Sequence, residues 1–458
     1  MEMQLTEIAR VVGAKNIDSS WNNIYVSSVD FDTRTLKPGA LFVPLKDKRD
    51  GHDFLYKAKE KGAVASFWKQ DHGSCPVDIP ILIVDDPLKS LQKLAQYYLL
   101  MSVNPKVVAI TGSNGKTTTK DMIAAILSTQ FNIQKTKDNF NNEIGVPMTI
   151  LSMKTNTEIL ILEMGMDNFG QLKFLSNLVK PDVVVITMIG EAHIGFFGSR
   201  DKIADAKMEI TSGLKDDGLL VFNGDEQLLL DRIKKLSFDK RKFGKNHDND
   251  IYPLNIESLN DRTQFNTNKW PDKYFSIPMM GSYNVYNSLA SILVGEYFHV
   301  SVDKMINSLS NFHVTKNRTQ WIVGKYGEKI ISDVYNSNPS ALIAVLNSFQ
   351  KIPVYNNGKR IVVIGDMLEL GDLSKKLHIK IAKFLNPNII NDVYLYGNEV
   401  KSLFYHLKSK YNTKFLHYYC LGDQEKLLND LVNNINKNDI ILIKGSHGMH
   451  LENLIKRI

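Results

Sequence analysis

The chain has 458 residues, 43% of them hydrophobic, with a formal charge of +7 and only two cysteines, Cys75 and Cys420. That length and apolar content are enough for several buried cores and argue against a disordered chain, while two distant cysteines argue against a disulfide framework or a zinc knuckle. No apolar run of about 18 residues occurs, and the opening Met-Glu-Met-Gln-Leu-Thr-Glu has neither a basic segment nor an apolar core, so a soluble, cytoplasmic protein without membrane insertion is expected.

Three zones follow one another. Residues 1–102 mix short β-rich runs (Ile24-Tyr25-Val26, Leu41-Phe42-Val43) with a Lys-rich helical stretch near 54–61 and a second helical pattern over 87–101; Asn104-Pro105 reads as a linker. Residues 103–313 alternate strand and helix. The runs at 107–111, 159–162 and 183–187 are continuously apolar, as strands buried on both faces of a parallel sheet must be. The Asn- and Asp-rich stretch 248–272 suggests hairpins with long loops and carries no functional signal. Residues 314–458 repeat the alternation, with Ile361-Val362-Val363-Ile364, Val393-Tyr394-Leu395-Tyr396 and Ile440-Ile441-Leu442-Ile443 as strands of a smaller α/β domain that closes over a ligand. The lysines are scattered, and the one cluster, Lys240-Arg241-Lys242, is too short to argue for nucleic acid.

The most informative segment is Thr111-Gly112-Ser113-Asn114-Gly115-Lys116-Thr117-Thr118, set between an apolar strand and a helical pattern of Met122, Ile123, Ile126 and Leu127. Glycines let backbone N–H groups close around phosphate oxygens, Lys116 supplies a point charge to the distal phosphates, and Thr117 offers a hydroxyl to Mg²⁺. The loop is a shortened variant, with only Ser113 and Asn114 between its glycines. Its expected ligand is a nucleoside triphosphate held by residues 112–118.

A triphosphate site needs metal ligands at the ends of neighbouring strands. The strand at 159–162 runs into Glu163 and that at 183–187 runs on to His193, about thirty residues apart, as one strand-helix-strand crossover allows. Lys207 lies on a following helical pattern, where spacing alone marks it as no more than a solvated charge.

Together the motifs resemble the Mur ligases: Thr-Gly-Ser-Asn-Gly-Lys-Thr-Thr at 111–118, Asn-Asn-Glu-Ile-Gly-Val-Pro at 141–147 and Glu-Met-Gly-Met at 163–166 follow in order. Asp-Val-Tyr-Asn-Ser-Asn-Pro at 333–339, Gly-Asp-Met-Leu-Glu-Leu-Gly at 365–371 and Lys-Gly-Ser-His-Gly-Met at 444–449 look like the branch that adds D-alanyl-D-alanine. Asp32-Thr33-Arg34 and Asp50-Gly51-His52 look like the family's uridine-binding N-terminal domain.

The resemblance implies three α/β domains: a uridine-binding domain (1–102), a central parallel-sheet ATPase domain with the phosphate loop (103–313), and a Rossmann-like C-terminal domain (314–458) closing over ATP and dipeptide. It implies an acyl-phosphate route joining D-alanyl-D-alanine to UDP-N-acetylmuramoyl-tripeptide, with ATP and two Mg²⁺, by a monomer in peptidoglycan precursor synthesis. Lys116, His193 and Lys207 are then catalytic. Thr117, Glu163, His193 and a carbamylated Lys207 hold metal, and Asn284, Asn287, Arg318 and Asp333 join the loop in holding ATP. Asp32, Thr33, Arg34, Asn141, Asn142, Asn336 and Asn338 are implied substrate contacts. The chain departs from the family pattern at Lys46-Asp47-Lys48, Met188, Tyr283, Asn317, Ala341 and His447, none a metal ligand. A sister ligase adding a single amino acid, a phosphotransferase and a catalytically silent nucleotide-binding protein stand as alternatives.

Overall fold

Apolar strands need cover on both faces, and this chain supplies it with three α/β bodies. In the computed structural model, which describes residues 1–76, 78–259 and 261–458, the first body holds a parallel sheet in the order Ser28–Asp30, Ala40–Phe42, Ala65–Lys69, Ile81–Val84. Helix Pro87–Tyr97 starts at Asp86, whose carboxylate accepts from the Leu88 and Lys89 amides, with Pro87 in the first turn where its missing N–H costs nothing. Helical backbone continues to Val103 and stops at Asn104, which is left-handed (φ 51°), so the junction before Pro105 is a sharp helix stop.

The second body is a six-stranded, all-parallel sheet in the order Asp239–Phe243, Leu219–Asn223, Val183–Ile186, Lys106–Thr111, Ile159–Glu163, Ile133–Lys135. Val107 and Ala109 enter one apolar cluster, Val108 and Ile110 the other, the period-two alternation of a strand covered on both sides. Helices Lys116–Leu127 and Ser282–Tyr297 share the second cluster. Their close approach depends on Gly295, where a Cβ would lie 2.7 Å from Ile126 Cγ2. Lys240, Arg241 and Lys242 sit on the edge strand, with Arg241 paired to Asp239 at 2.8 Å and Lys242 near Asp248 at 3.4 Å. The basic cluster is thus accounted for by charges that blunt a sheet edge.

Within 248–272 the expected hairpins exist, and the connection between Thr267 and Trp270 is tight. Pro253–Ser258, Thr263–Thr267 and Trp270–Ile277 form an antiparallel sheet in which Thr267 pairs directly with Trp270 and Phe265 stacks on Phe275 at 5.4 Å. The aromatic pair, not the polar residues, sets the register.

The third body orders its strands Gln320–Val323, Lys329–Asp333, Ile440–Lys444, Arg360–Gly365, Asp392–Tyr396, Leu416–Tyr419, parallel except for the first pair. One apolar cluster runs through all three bodies, taking Leu41, Val107 and Val362 alike. No helix among the described residues is long and apolar enough to cross a membrane.

Candidate active site

The phosphate loop leaves strand Lys106–Thr111 and enters helix Lys116–Leu127 at Gly115, which is left-handed (φ 83°). Thr187, at the end of the neighbouring strand, locks the turn: its hydroxyl donates to the Asn114 carbonyl at 2.5 Å. A Cβ at Gly112 would lie 1.8 Å from Thr187 Oγ1, so only glycine fits there. Lys116 Nζ donates to the Gly112 carbonyl at 2.9 Å, which holds the ammonium over the loop. Burial pulls that ammonium below its ordinary pKa, with Arg318 adding to the effect and Glu163 opposing it.

Glu163 ends its strand as the sequence pattern requires, almost fully buried (3%). Its Oε2 accepts from Thr117 Oγ1 at 2.8 Å and its Oε1 from Asn141 Nδ2 at 3.0 Å. Two hard oxygens, from Thr117 and Glu163, therefore stand side by side at the loop mouth, the donor set a Mg²⁺ ion takes.

Lys207 is 2% exposed on helix Arg200–Met208, and no hydrogen bond or ion pair to its amine occurs among the described residues. Burial, and then repulsion from Lys116, lowers its pKa far below 10.5. Burial therefore favours its neutral form, the form that adds to carbon dioxide. His193 is left-handed (φ 62°) before a short helical turn, with its Nδ1 2.6 Å from Glu369 Oε2 of the third body. The proximity of His193 in turn holds the Glu369 carboxyl below its usual range.

The third body closes the site. Arg318 stacks over the Tyr335 ring at 4.0 Å and its Nη2 reaches Thr117 Oγ1 at 3.3 Å. Asn317, preceding it, is left-handed (φ 61°), a conformation asparagine tolerates. Asn338 caps helix Pro339–Phe349 through the Ala341 amide and exchanges two side-chain hydrogen bonds with Asn114 of the loop, at 3.1 and 2.6 Å. Lys444, 1% exposed at the end of the last strand, donates to Asp333 at 2.6 Å and to the Asn336 carbonyl at 2.8 Å. A cavity of ≈ 290 Å³ opens between Gly115, Thr118 and Asn287 on one side and Arg318, Asp333 and Lys444 on the other. A second cleft, of ≈ 710 Å³, runs past Thr117, Lys137, Tyr335 and His447.

Asn114, Gly115, Thr118, Asn287, Arg318, Asp333 and Asn336 thus line the first cavity and Thr117 the second cleft, while hydrogen bonds tie Glu163 to Thr117, Asn141 to Glu163 and Asn338 to Asn114. Asn284 also lines the first cavity, its side chain donating to the Met280 carbonyl and accepting from Asn287. Asn142, beside Asn141, is exposed, and its Oδ1 accepts from the Ile144 and Gly145 amides, at 3.2 and 2.9 Å, which starts a helix. Asp32, Thr33 and Arg34 lie apart, in the first body. Thr33 is buried, and Arg34 is clamped on Asp32 at 2.6 Å, which lowers the Asp32 carboxyl's pKa. The contact between Phe31 and Phe140 connects that region to the loop carrying Asn141.

Sequence reasoning missed Thr187, Glu191, Glu369 and Lys444. Lys444 had a signal, a lysine ending a fully apolar strand, and Glu369 lies in the string at 365–371; Thr187 and Glu191 act across chain distances that no local pattern encodes.

A parallel sheet with a phosphate loop, closed by a second α/β body that contributes an arginine and a lysine, defines the class. The pattern of the Mur ligase middle domain matches residues 110–295, and that of the Mur ligase, glutamate ligase domain matches 317–447. The chain belongs to the Mur ligase family and is an ATP-dependent ligase. It is 39% identical to the UDP-N-acetylmuramoyl-tripeptide–D-alanyl-D-alanine ligase of Bacillus subtilis (strain 168), over 98% of this chain and 96% of that one. A crystal structure of MurF from Acinetobacter baumannii superposes with a TM-score of 0.88 over 100% of this chain and 98% of that one, at 26% identity. MurF ligase from Thermotoga maritima, in complex with ADP, superposes with a TM-score of 0.81 over 94% and 96%, at 29% identity.

Proposed function

We propose that the protein joins D-alanyl-D-alanine to the terminal carboxylate of UDP-N-acetylmuramoyl-tripeptide, splitting ATP to ADP and phosphate, in cytoplasmic peptidoglycan precursor synthesis. The observation that carries this reading is the convergence at one loop mouth of Lys116, the Thr117–Glu163 pair and a buried Lys207 whose charged form is disfavoured, under a lid supplied by the third body.

The residues fit the ions the reaction needs. Thr117 and Glu163 would hold one Mg²⁺; His193 and a carbamate on Lys207, formed when its amine adds carbon dioxide and sheds a proton, would hold a second. Bound there, the ions neutralise charge on the phosphates.

The chain's own groups do the rest. Lys116 and Arg318 stabilise the terminal phosphoryl group as it leaves ADP for the tripeptide carboxylate, making an acyl phosphate. The dipeptide amine attacks the acyl carbon, phosphate departs with the C–O bond electrons, and the amine loses a proton. Asn287 and Tyr283 wall the base and sugar, while Asp333, neutralised by Lys444, orders the lid. Docking of the third body keeps water from the acyl phosphate. The first body, with Asp32, Thr33 and Arg34, takes the uridine end, and the protein acts as a monomer.

Purified protein with ATP, Mg²⁺ and UDP-muramoyl tripeptides ending in lysine or diaminopimelate, with D-alanyl-D-alanine, with free single amino acids, or with neither, tests this by mass spectrometry. A pentapeptide product with ADP is the expected result; a product carrying a single added amino acid, or ADP without an adduct, overturns the choice of acceptor.

A further inference from the structure

We infer that Glu369 of the third body is the positioning residue for His193 of the second, so that this ligand is aimed only when the two bodies are docked. The inference rests on His193 as a metal ligand, as proposed above.

Four observations carry it. Glu369 Oε2 lies 2.6 Å from His193 Nδ1, across the boundary between bodies. Both residues are left-handed, each with φ 62°; histidine adopts that region more readily than most, but glutamate rarely does, so the backbone at Glu369 is one that the surrounding fold enforces at this junction. The docking is independent of the carboxylate: the Gly195 amide donates to the Glu369 carbonyl at 2.9 Å, and Ile194, Phe197, Met367 and Leu370 are buried in one cluster. Finally, His193 Nδ1 is buried yet makes no well-aligned hydrogen bond, so the carboxylate is close but off the ring N–H axis, as catalytic contacts often are before the complex assembles.

The chemistry follows from the imidazole. A neutral ring has one N–H and one lone pair, and whichever nitrogen meets a carboxylate keeps the proton. Glu369 at Nδ1 therefore leaves the Nε2 lone pair for a cation and raises its basicity. Two residues earlier, Glu191 accepts from the Ser340 amide at 3.2 Å and from the Ser340 hydroxyl, so the loop bearing His193 is gripped twice by the third body. Closure and ligand orientation become one event.

The test is Mn²⁺ binding to the full chain with a non-hydrolysable ATP analogue, followed by electron paramagnetic resonance, for wild type, Glu369→Gln, His193→Ala and the double variant. Small-angle scattering checks closure, which Glu369→Gln retains because the Gly195 to Glu369 backbone bond remains. The expected result is Mn²⁺ affinity reduced about tenfold or more by Glu369→Gln, the range seen when partners of metal-bound histidines are removed, and no further loss in the double variant than in His193→Ala. Affinity within about twofold of wild type for Glu369→Gln, with His193→Ala impaired, overturns the role of Glu369 alone. Unchanged affinity in His193→Ala overturns the reading of His193 as a ligand.

Discussion

Lys116 and Lys207 show how one side-chain type serves opposite ends in one cleft. Lys116 stays beside a carboxylate that favours its charge; Lys207 has no such partner among the described residues, and its pKa is driven well below the ordinary lysine value. Lys116→Ala is expected to leave circular dichroism and melting unchanged while ligation falls at least about a hundredfold, the scale of losing one preorganised charge. Lys207→Ala should be equally inactive and partly rescued by a small carboxylate such as formate; a fully active protein whose Lys207 remains an unmodified amine would contradict the carbamate. Lys207 also has a signature in stability. Between its depressed folded pKa and 10.5 the unfolded chain binds more protons than the folded one, so stability rises with pH across that window. In buffer free of carbon dioxide, Lys207→Met should melt above wild type at neutral pH, and the gain should shrink as pH approaches 10.5. The loop and Glu163 were legible from sequence because strand, glycines and lysine adjoin; Lys207 was not, since its burial is set by elements far along the chain, and only the family resemblance singled it out.

Elements were legible where they are apolar throughout. The strands Lys106–Thr111, Ile159–Glu163 and Ile440–Lys444 lie within a residue of where the runs predict them. Those left unmarked, such as Ile133–Lys135 and Asp239–Phe243, are edge strands whose polar side chains erase the pattern. Helix Pro339–Phe349 combines structure and function at its first turn, because Asn338 both caps it and pairs with Asn114. Asn338→Ala should cost about 1 kcal/mol in urea denaturation from the cap alone. It should also weaken ADP binding, and a double-mutant cycle with Asn114→Ala should give a coupling energy of roughly 0.5–3 kcal/mol. Additive effects would mean that the amide pair does not join loop to lid.

At the scale of the whole molecule, the site exists only as a junction. Glu191 meets Ser340, Asn114 meets Asn338, and Arg318 meets Thr117, each pair spanning the second and third bodies. Ser340→Ala with Glu191→Ala should therefore loosen closure: scattering should give a larger radius of gyration without nucleotide, and nucleotide affinity should fall while each body keeps its secondary structure. An unchanged radius and affinity would show that the apolar contacts alone hold the bodies together. The topology of the third sheet bears on how the protein is made. Its last strand in sequence, Ile440–Lys444, lies between Lys329–Asp333 and Arg360–Gly365. During translation five strands emerge before the one that joins them, leaving two apolar half-sheets with open edges until the final residues are released. A premature stop between residues 420 and 440 would strand both halves and remove Lys444, producing a substrate for proteases and chaperones instead of a weakened enzyme.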